Sequence, residues 1–221
     1  MKTVFITGGS RGIGEAVVER FKIDGYRIIA PTREEMNLLS VDSISAYFSR
    51  NREIVVDCII NNAGINPLAS IGDITDKDLA DTINVNLIAP VLIVRALVGS
   101  MIKQGYGRIV NIGSIWGVVS KEKRTVYSIS KNGIHGLTST LAVELGGHNI
   151  LVNTVCPGYT NTELTKKNVP LAEAKKIAKD IPLGRFAEPC EIASLVYFLG
   201  SDQNTYITGQ RITADGGFTA K

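Results

Sequence analysis

Ser114, Tyr127 and Lys131 fall in the order Ser-x12-Tyr-x3-Lys. A spacing of four places Tyr127 and Lys131 on one face of a helix, one turn apart. An ammonium beside a phenol favours the phenolate, so the phenol is expected to fall from about 10 toward neutrality. That would make Tyr127 a usable proton donor and acceptor near pH 7. Ser114 follows the apolar run Arg108-Ile-Val-Asn-Ile112, which reads as a buried strand. Its hydroxyl would then stand at the carboxyl end of that strand, the edge where open α/β sheets bind ligands. Tyr-x3-Lys pairs also arise by chance on ordinary helices, so the elements around the trio must carry the rest.

The first such element is Thr7-Gly-Gly-Ser-Arg-Gly-Ile-Gly14, between the strand Thr3-Val-Phe-Ile6 and a helix starting near Gly12. Glycines let a backbone approach a pyrophosphate, and a helix N-terminus offers N–H groups and a positive dipole end. The spacing Gly8-x3-Gly12-x-Gly14 differs from G-x-G-x-x-G, and a plain tight turn is the bland alternative. As the first β-turn-α of an α/β chain, it favours a nucleotide. The second strand, Tyr26 to Ala30, should end near a group that holds the ribose. Thr32 and Arg33 stand there, with Arg11 in the glycine turn. Two guanidiniums and no acid at that tip suit a 2′-phosphate, although Glu34 and Glu35 follow and could fold back. NADP(H) is therefore favoured, with NAD(H) the alternative.

Further along, Asn37-Leu-Leu39 has room only for a short strand, and Ser40 or Asp42 can cap a helix through Phe48. Ile54 to Ile60 reads as a buried parallel strand ending in Asn61-Asn-Ala-Gly64, a small polar tip. Thr75 reads as the N-cap of a helix. From Val85 to Ile102 only Asn86, Arg95 and Ser100 are strongly polar, and a helix apolar nearly all round needs cover on more than one side. A second subunit is the expected cover. Pro90 cannot donate to the carbonyl of Asn86, which leaves that acceptor open. Trp116, just beyond Ser114, is either packing or the wall of a substrate pocket. A charged loop, Lys121-Glu-Lys-Arg124, precedes the helix bearing Tyr127.

Composition narrows the class. The chain has 221 residues, 44% apolar and 20% charged, which fits one globular α/β domain spanning 1–221. A net charge of +3 is too small to point to nucleic acid or a membrane surface. The longest apolar run, around Leu87 to Val94, contains Pro90 and is read as too short for a membrane span. Three scattered cysteines, Cys58, Cys156 and Cys190, fit a reducing cytoplasm, and two histidines make a zinc site improbable, so no metal is expected.

Taken in order, these features resemble the short-chain dehydrogenase/reductase family, nearly end to end. The matching residues are the T-G-x3-G-x-G turn at Thr7 to Gly14, N-N-A-G at Asn61 to Gly64, Asn86, Ser114, Tyr127-x3-Lys131, Pro157-Gly158 and the terminal Asp215-Gly-Gly217. The resemblance implies a doubly wound, Rossmann-type parallel sheet of about seven strands, with hydride transfer to or from a nicotinamide cofactor. It implies Asn86, Ser114, Tyr127 and Lys131 as the catalytic set. Tyr127 would be the acid/base, Ser114 would hold the carbonyl oxygen and Lys131 would bind the ribose. The carbonyl that Pro90 leaves open would hold a relay water.

Cofactor contacts would come from Gly8, Ser10, Arg11, Gly12, Ile13 and Gly14, and from Thr32, Arg33, Asn37 and Leu38. Asn62, Ala63, Gly64, Tyr127, Lys131, Pro157, Gly158, Thr160 and Thr162 would supply the others. Asn37 replaces an aspartate frequent in the family, and the segment around it is shortened. The substrate would touch Ser114, Trp116 and Tyr127. The overall run is similar to bacterial 3-oxoacyl-(acyl-carrier-protein) reductases, which implies a small or carrier-bound carbonyl substrate and a homodimer or homotetramer. A keto-sugar or polyol reductase, and a silent dinucleotide-binding regulator, are the alternatives.

Overall fold

A computed structural model describes residues 1–220 of the chain. Six parallel strands form its sheet: β1 Thr3–Ile6, β2 Arg27–Ile29, β3 Cys58–Asn61, β4 Gly107–Ile112, β5 Ile150–Pro157 and β6 Arg211–Ala214. Their order is β2-β1-β3-β4-β5-β6, so the chain steps outward from β1 to β2 and then returns to the other side of β1 at β3. Such a reversal opens a crevice beyond the strand tips, here between the ends of β1 and β3.

Helices cover both faces. On one face α1 (Gly12–Ile23) and α8 (Pro189–Gly200) pack over Val4, Ile6, Cys58 and Ile60. The other face carries α2 (Val41–Arg50), α4 (Ala89–Gln104) and α5 (Thr125–Leu145), over Phe5, Ile59, Ile109 and Val152. Alternate residues of β1 and β3 thus enter opposite cores, as the period of two requires. A smaller aromatic cluster, Ile115, Trp116, Tyr159, Val169, Ile177 and Ile181, sits under α6 (Glu163–Asn168) and α7 (Leu171–Asp180).

Buried polar groups tie these layers together. Asn61 of β3 donates to Asn111 of β4 at 2.8 Å, Asn111 donates to Thr138 of α5 at 2.9 Å, and Thr138 meets Thr154 of β5 at 2.7 Å. The helix bearing Tyr127 is thereby pinned to the sheet through three strands. Arg108, also buried, donates to the carbonyls of Gly107, Asn149, Ser201 and Asn204 at 2.8 to 3.3 Å.

Three expectations are corrected. The sheet has six strands among the described residues, because Asn37 to Leu39 forms a turn in place of a strand. The Asn37 side chain accepts from Leu39 N at 3.1 Å, and Asn37 N donates to Ser43 Oγ at 3.0 Å. A side chain that bonds its own backbone two residues on competes directly with a ladder. β3 is shorter than expected, beginning at Cys58. The apolar segment is longer, since α3 (Asp76–Ile83), a π-turn at Asn84–Ile88 and α4 join into one helix, Asp76–Gln104. By length and composition alone it could cross a membrane, but half of its apolar window is buried inside the fold, as in a core helix. In the π-turn Ala89 N reaches Asn84 O, five residues back, so the chain widens where Asn86 sits.

Candidate active site

The crevice predicted from topology is a cleft of about 950 Å³. Gly8 and Gly14 explain why the glycine turn can form its floor. Gly8 has φ +66, in the left-handed region. A Cβ on Gly14 would lie 2.0 Å from Gly8 O and 2.5 Å from Asn62 Nδ2. Asn62 Nδ2 donates to Thr7 O at 3.0 Å and Gly8 O at 2.9 Å, while Thr7 Oγ1 accepts from Asn62 N and Ala63 N at 3.2 and 3.1 Å. The two strand tips are thus locked edge to edge. Gly14→Ala should force them apart, with a stability loss of about 1–3 kcal/mol as for an overpacked core and loss of dinucleotide binding. Thermal melts and dinucleotide titration check this; unchanged binding would contradict it.

Every residue expected to contact a cofactor lines this one cleft, including Ser10, Arg11, Gly12, Ile13, Thr32, Arg33, Asn37, Leu38, Ala63, Gly64, Pro157, Gly158, Thr160 and Thr162. Helix α1 begins at Gly12 with Arg11 as an N-cap that makes no side-chain capping bond, so the helix N-terminus faces the cleft. Close backbone, a helix N-terminus and a cleft of this size fit a dinucleotide's phosphates. Sequence reading missed Thr7, Gly9, Ile65, Val85, Gly113, Leu164 and Thr165, which also line it. Thr7 could have been found as the side chain that opens the turn; the others show only once the tips converge.

At the far end of the cleft stand Ser114, Tyr127 and Lys131. Ser114 Oγ accepts from Trp116 N at 3.2 Å, which leaves its own proton to donate. Lys131 Nζ is buried and donates to Ile112 O at 2.6 Å. It lies 5.6 Å from the Tyr127 ring centroid. Electrostatics overturn one expectation. Burial holds the Tyr127 phenol above its ordinary value, opposed by the nearby Ser114 hydroxyl. Burial also lowers the Lys131 amine to about 8. For both groups burial is the largest cause, outweighing at Tyr127 the Ser114 hydroxyl and the Arg124 charge.

Asn86 stands behind the cleft wall. Its side chain donates to Ile65 O at 2.9 Å and to Ser130 Oγ at 3.1 Å, and accepts from Ile65 N at 2.9 Å. It joins the loop after β3 to the Tyr127 helix. Trp116 lies outside the main cleft, in a neighbouring pocket of about 90 Å³ that shares Ser114 and Tyr127 with it. At the cleft mouth, Arg11 pairs with Glu163 of α6 at 3.1 Å. Glu35 folds back to accept from Thr32 N at 2.8 Å. The Glu34 carboxyl is held below its usual range by its own backbone N–H and the Thr32 hydroxyl.

Known proteins agree with this architecture. Residues 40–219 match the family described as enoyl-(acyl carrier protein) reductase. The chain is 36% identical to the 3-oxoacyl-(acyl-carrier-protein) reductase of Thermotoga maritima, over 98% of this chain and 97% of that one. Among solved structures it is similar to a putative NAD(P)-dependent gluconate 5-dehydrogenase from Beutenbergia cavernae with bound NADP, with a TM-score of 0.94 at 28% identity, covering 100% and 97% of the two chains. It matches a 4-hydroxyisoleucine dehydrogenase complexed with NADH equally well, with a TM-score of 0.94 at 30% identity and full coverage of both chains. With the glycine turn, the Ser-Tyr-Lys wall and these relatives in agreement, the chain belongs to the short-chain dehydrogenase/reductase family and is a nicotinamide-dependent oxidoreductase of carbonyl and CH–OH groups.

Proposed function

We propose that the protein is an NADPH-dependent reductase of ketones to secondary alcohols, of the 3-oxoacyl-(acyl-carrier-protein) reductase type. The observation that carries this reading is the convergence of Ser114, Tyr127 and Lys131 in the cleft that the glycine turn also lines. The turn from Gly8 to Gly14 and the tip Asn62 to Gly64 would hold the cofactor's phosphates and ribose, with Thr160 and Thr162 closing over it. Bound there, the nicotinamide supplies the hydride.

The chain's own groups supply the proton and hold the carbonyl. Ser114 donates its free hydroxyl proton to the carbonyl oxygen. Tyr127, protonated at neutral pH because its phenol is held above the ordinary value, donates to the same oxygen as charge develops there. An ammonium has three donors, and Lys131 spends one on Ile112 O, leaving two for a ribose hydroxyl and the phenol. Asn86 acts through position: it fixes the loop after β3 against Ser130, and its backbone carbonyl is the proposed seat of a relay water.

Turnover of β-ketoacyl thioesters and keto-sugars with NADPH and NADH tests the reading. Oxidation of NADPH by a β-ketoacyl thioester is expected. A keto-sugar or sugar-acid reductase is the second reading, favoured by likeness to the gluconate 5-dehydrogenase. Dinucleotide binding without turnover of any ketone would leave the silent regulator.

The proposed setting is a cytoplasmic homodimer or homotetramer. Val91 and Ile102 of α4 and Ile129 and Val143 of α5 are exposed apolar side chains, Val143 at 86%. Together with the rest of these two helices they offer the apolar face that a symmetric partner would cover. Light scattering at micromolar concentration should return a dimer or larger; a monomer would refute this.

A further inference from the structure

The pocket beside Ser114 and Tyr127 contains one charged side chain among the described residues, Arg124. Arg124 is only 6% exposed. Its guanidinium lies 5.0 Å from the Trp116 ring centroid. No hydrogen bond or ion pair from that guanidinium to any described residue is present. The contrast with Arg108 is direct: that guanidinium, equally hidden, is surrounded by four backbone carbonyls. This fold therefore satisfies a buried arginine where the arginine serves structure. The guanidinium N–H groups of Arg124 are instead left open to the pocket, where a ligand can supply the acceptor.

Asn66 Oδ1, an acceptor also buried in this pocket without a donor, calls for an N–H or O–H and does not bear on an anion. A hydrocarbon tail would leave the guanidinium without an acceptor. A guanidinium over an aromatic ring, as Arg124 lies over Trp116, keeps N–H groups for a ligand. Of the neighbouring cations, Lys121 is already paired with Glu173 at 3.1 Å, and Lys131 lines the main cleft and donates to Ile112 O. A single free positive charge in about 90 Å³ balances a monoanion such as a carboxylate, and not a doubly charged phosphate.

We infer that Arg124 is a specificity-determining residue that binds a carboxylate of the substrate, so that the ketone reduced here carries a short, carboxylate-ended arm on one side of its carbonyl. The inference rests on the reading of the cleft as a ketone reductase site, and narrows the substrate to keto acids, free or joined to a carrier at their other end.

The test compares kcat/KM for 4-oxopentanoate and 5-oxohexanoate with that for their methyl esters, using NADPH. The free acid should be preferred by about tenfold or more, and Arg124→Gln should reduce that preference by about ten- to a hundredfold, the usual cost of a charge-assisted bond. Taking the ratio cancels any effect of Arg124 on Tyr127, which both substrates share. Arg124→Lys should retain part of the preference, and circular dichroism of both variants confirms the fold. Esters reduced as well as acids, or a ratio unchanged in Arg124→Gln, would overturn the assignment, as would preference for a phosphate-bearing ketone. Calorimetric titration of succinate into the NADP-loaded protein reads the site without turnover. Arg124-dependent succinate binding with no ketone reduced would sustain Arg124 and sink the reductase reading; reduction of neutral ketones with no effect of carboxylate would do the reverse.

Discussion

Tyr127→Phe should lose turnover by about 10²- to 10⁴-fold, the usual contribution of a positioned proton donor. Dinucleotide affinity should stay within a few-fold of the parent. The substitution removes one oxygen and keeps the ring, which packs beside Ile115, Trp116 and Tyr159. Ser114 and Lys131 remain in place to hold the carbonyl and the ribose. The parent's own pH profile supplies a second reading of the same site. Above about pH 8 Lys131 passes into its neutral form, so reduction should decline as pH rises through that value. Below it the amine is charged and the Tyr127 phenol is protonated, the pair of states that reduction requires. Turnover of the phenylalanine variant within tenfold of the parent would remove Tyr127 from the reaction.

Replacing Arg11 and Arg33 together by glutamine should weaken NADPH binding by about ten- to a hundredfold for each charged bond lost, somewhat less where water screens it. NADH binding should change little. Thr32 and Arg33 line the cleft beyond β2, and Arg11 lies in the glycine turn. Arg11 is already held by Glu163, but both partners are largely exposed, and such a pair is worth about 0–1 kcal/mol or less. A 2′-phosphate, with nearly two charges, should displace it. Glu163→Gln should therefore tighten NADPH modestly, which the opposite model does not expect. In that model Glu34, which also lines the cleft, receives the ribose hydroxyl. Michaelis constants decide. A parent that prefers NADH would refute the arginine assignment, and Thr32→Asp would then have little left to shift.

Much of this was legible because it is local. The glycine turn, the four-residue step from Tyr127 to Lys131, and the caps Ser40 and Thr75 all depend on neighbours in the chain. Ser40 accepts from Ser43 N and Thr75 from Asp78 N, as N-caps do. The turn at Asn37 was misjudged because an Asn that bonds its own backbone reads, by hydropathy alone, like the start of Leu38-Leu39 as a strand. The sign of the Tyr127 shift was misjudged for another reason. Spacing reports who stands beside the phenol, whereas burial depends on the whole aromatic cluster beneath α6 and α7. Arg124 was hidden in a loop of four charged residues, which by composition is a solvated surface. Arg11 and Glu163 lie 152 residues apart, and only the closing of α6 over the glycine turn brings them together.

The missing strand has a consequence for how copies of the molecule behave in a crowded solution. With Asn37 to Leu39 turned away from the ladder, β2 is the last strand on its side of the sheet, and it is three residues long. A sheet edge is a template on which another chain can add, and long, flat, apolar edges recruit such growth. Here the template is short, and its first residue, Arg27, is exposed and charged. This brief edge, opened by a charge, therefore offers another strand few groups to pair with.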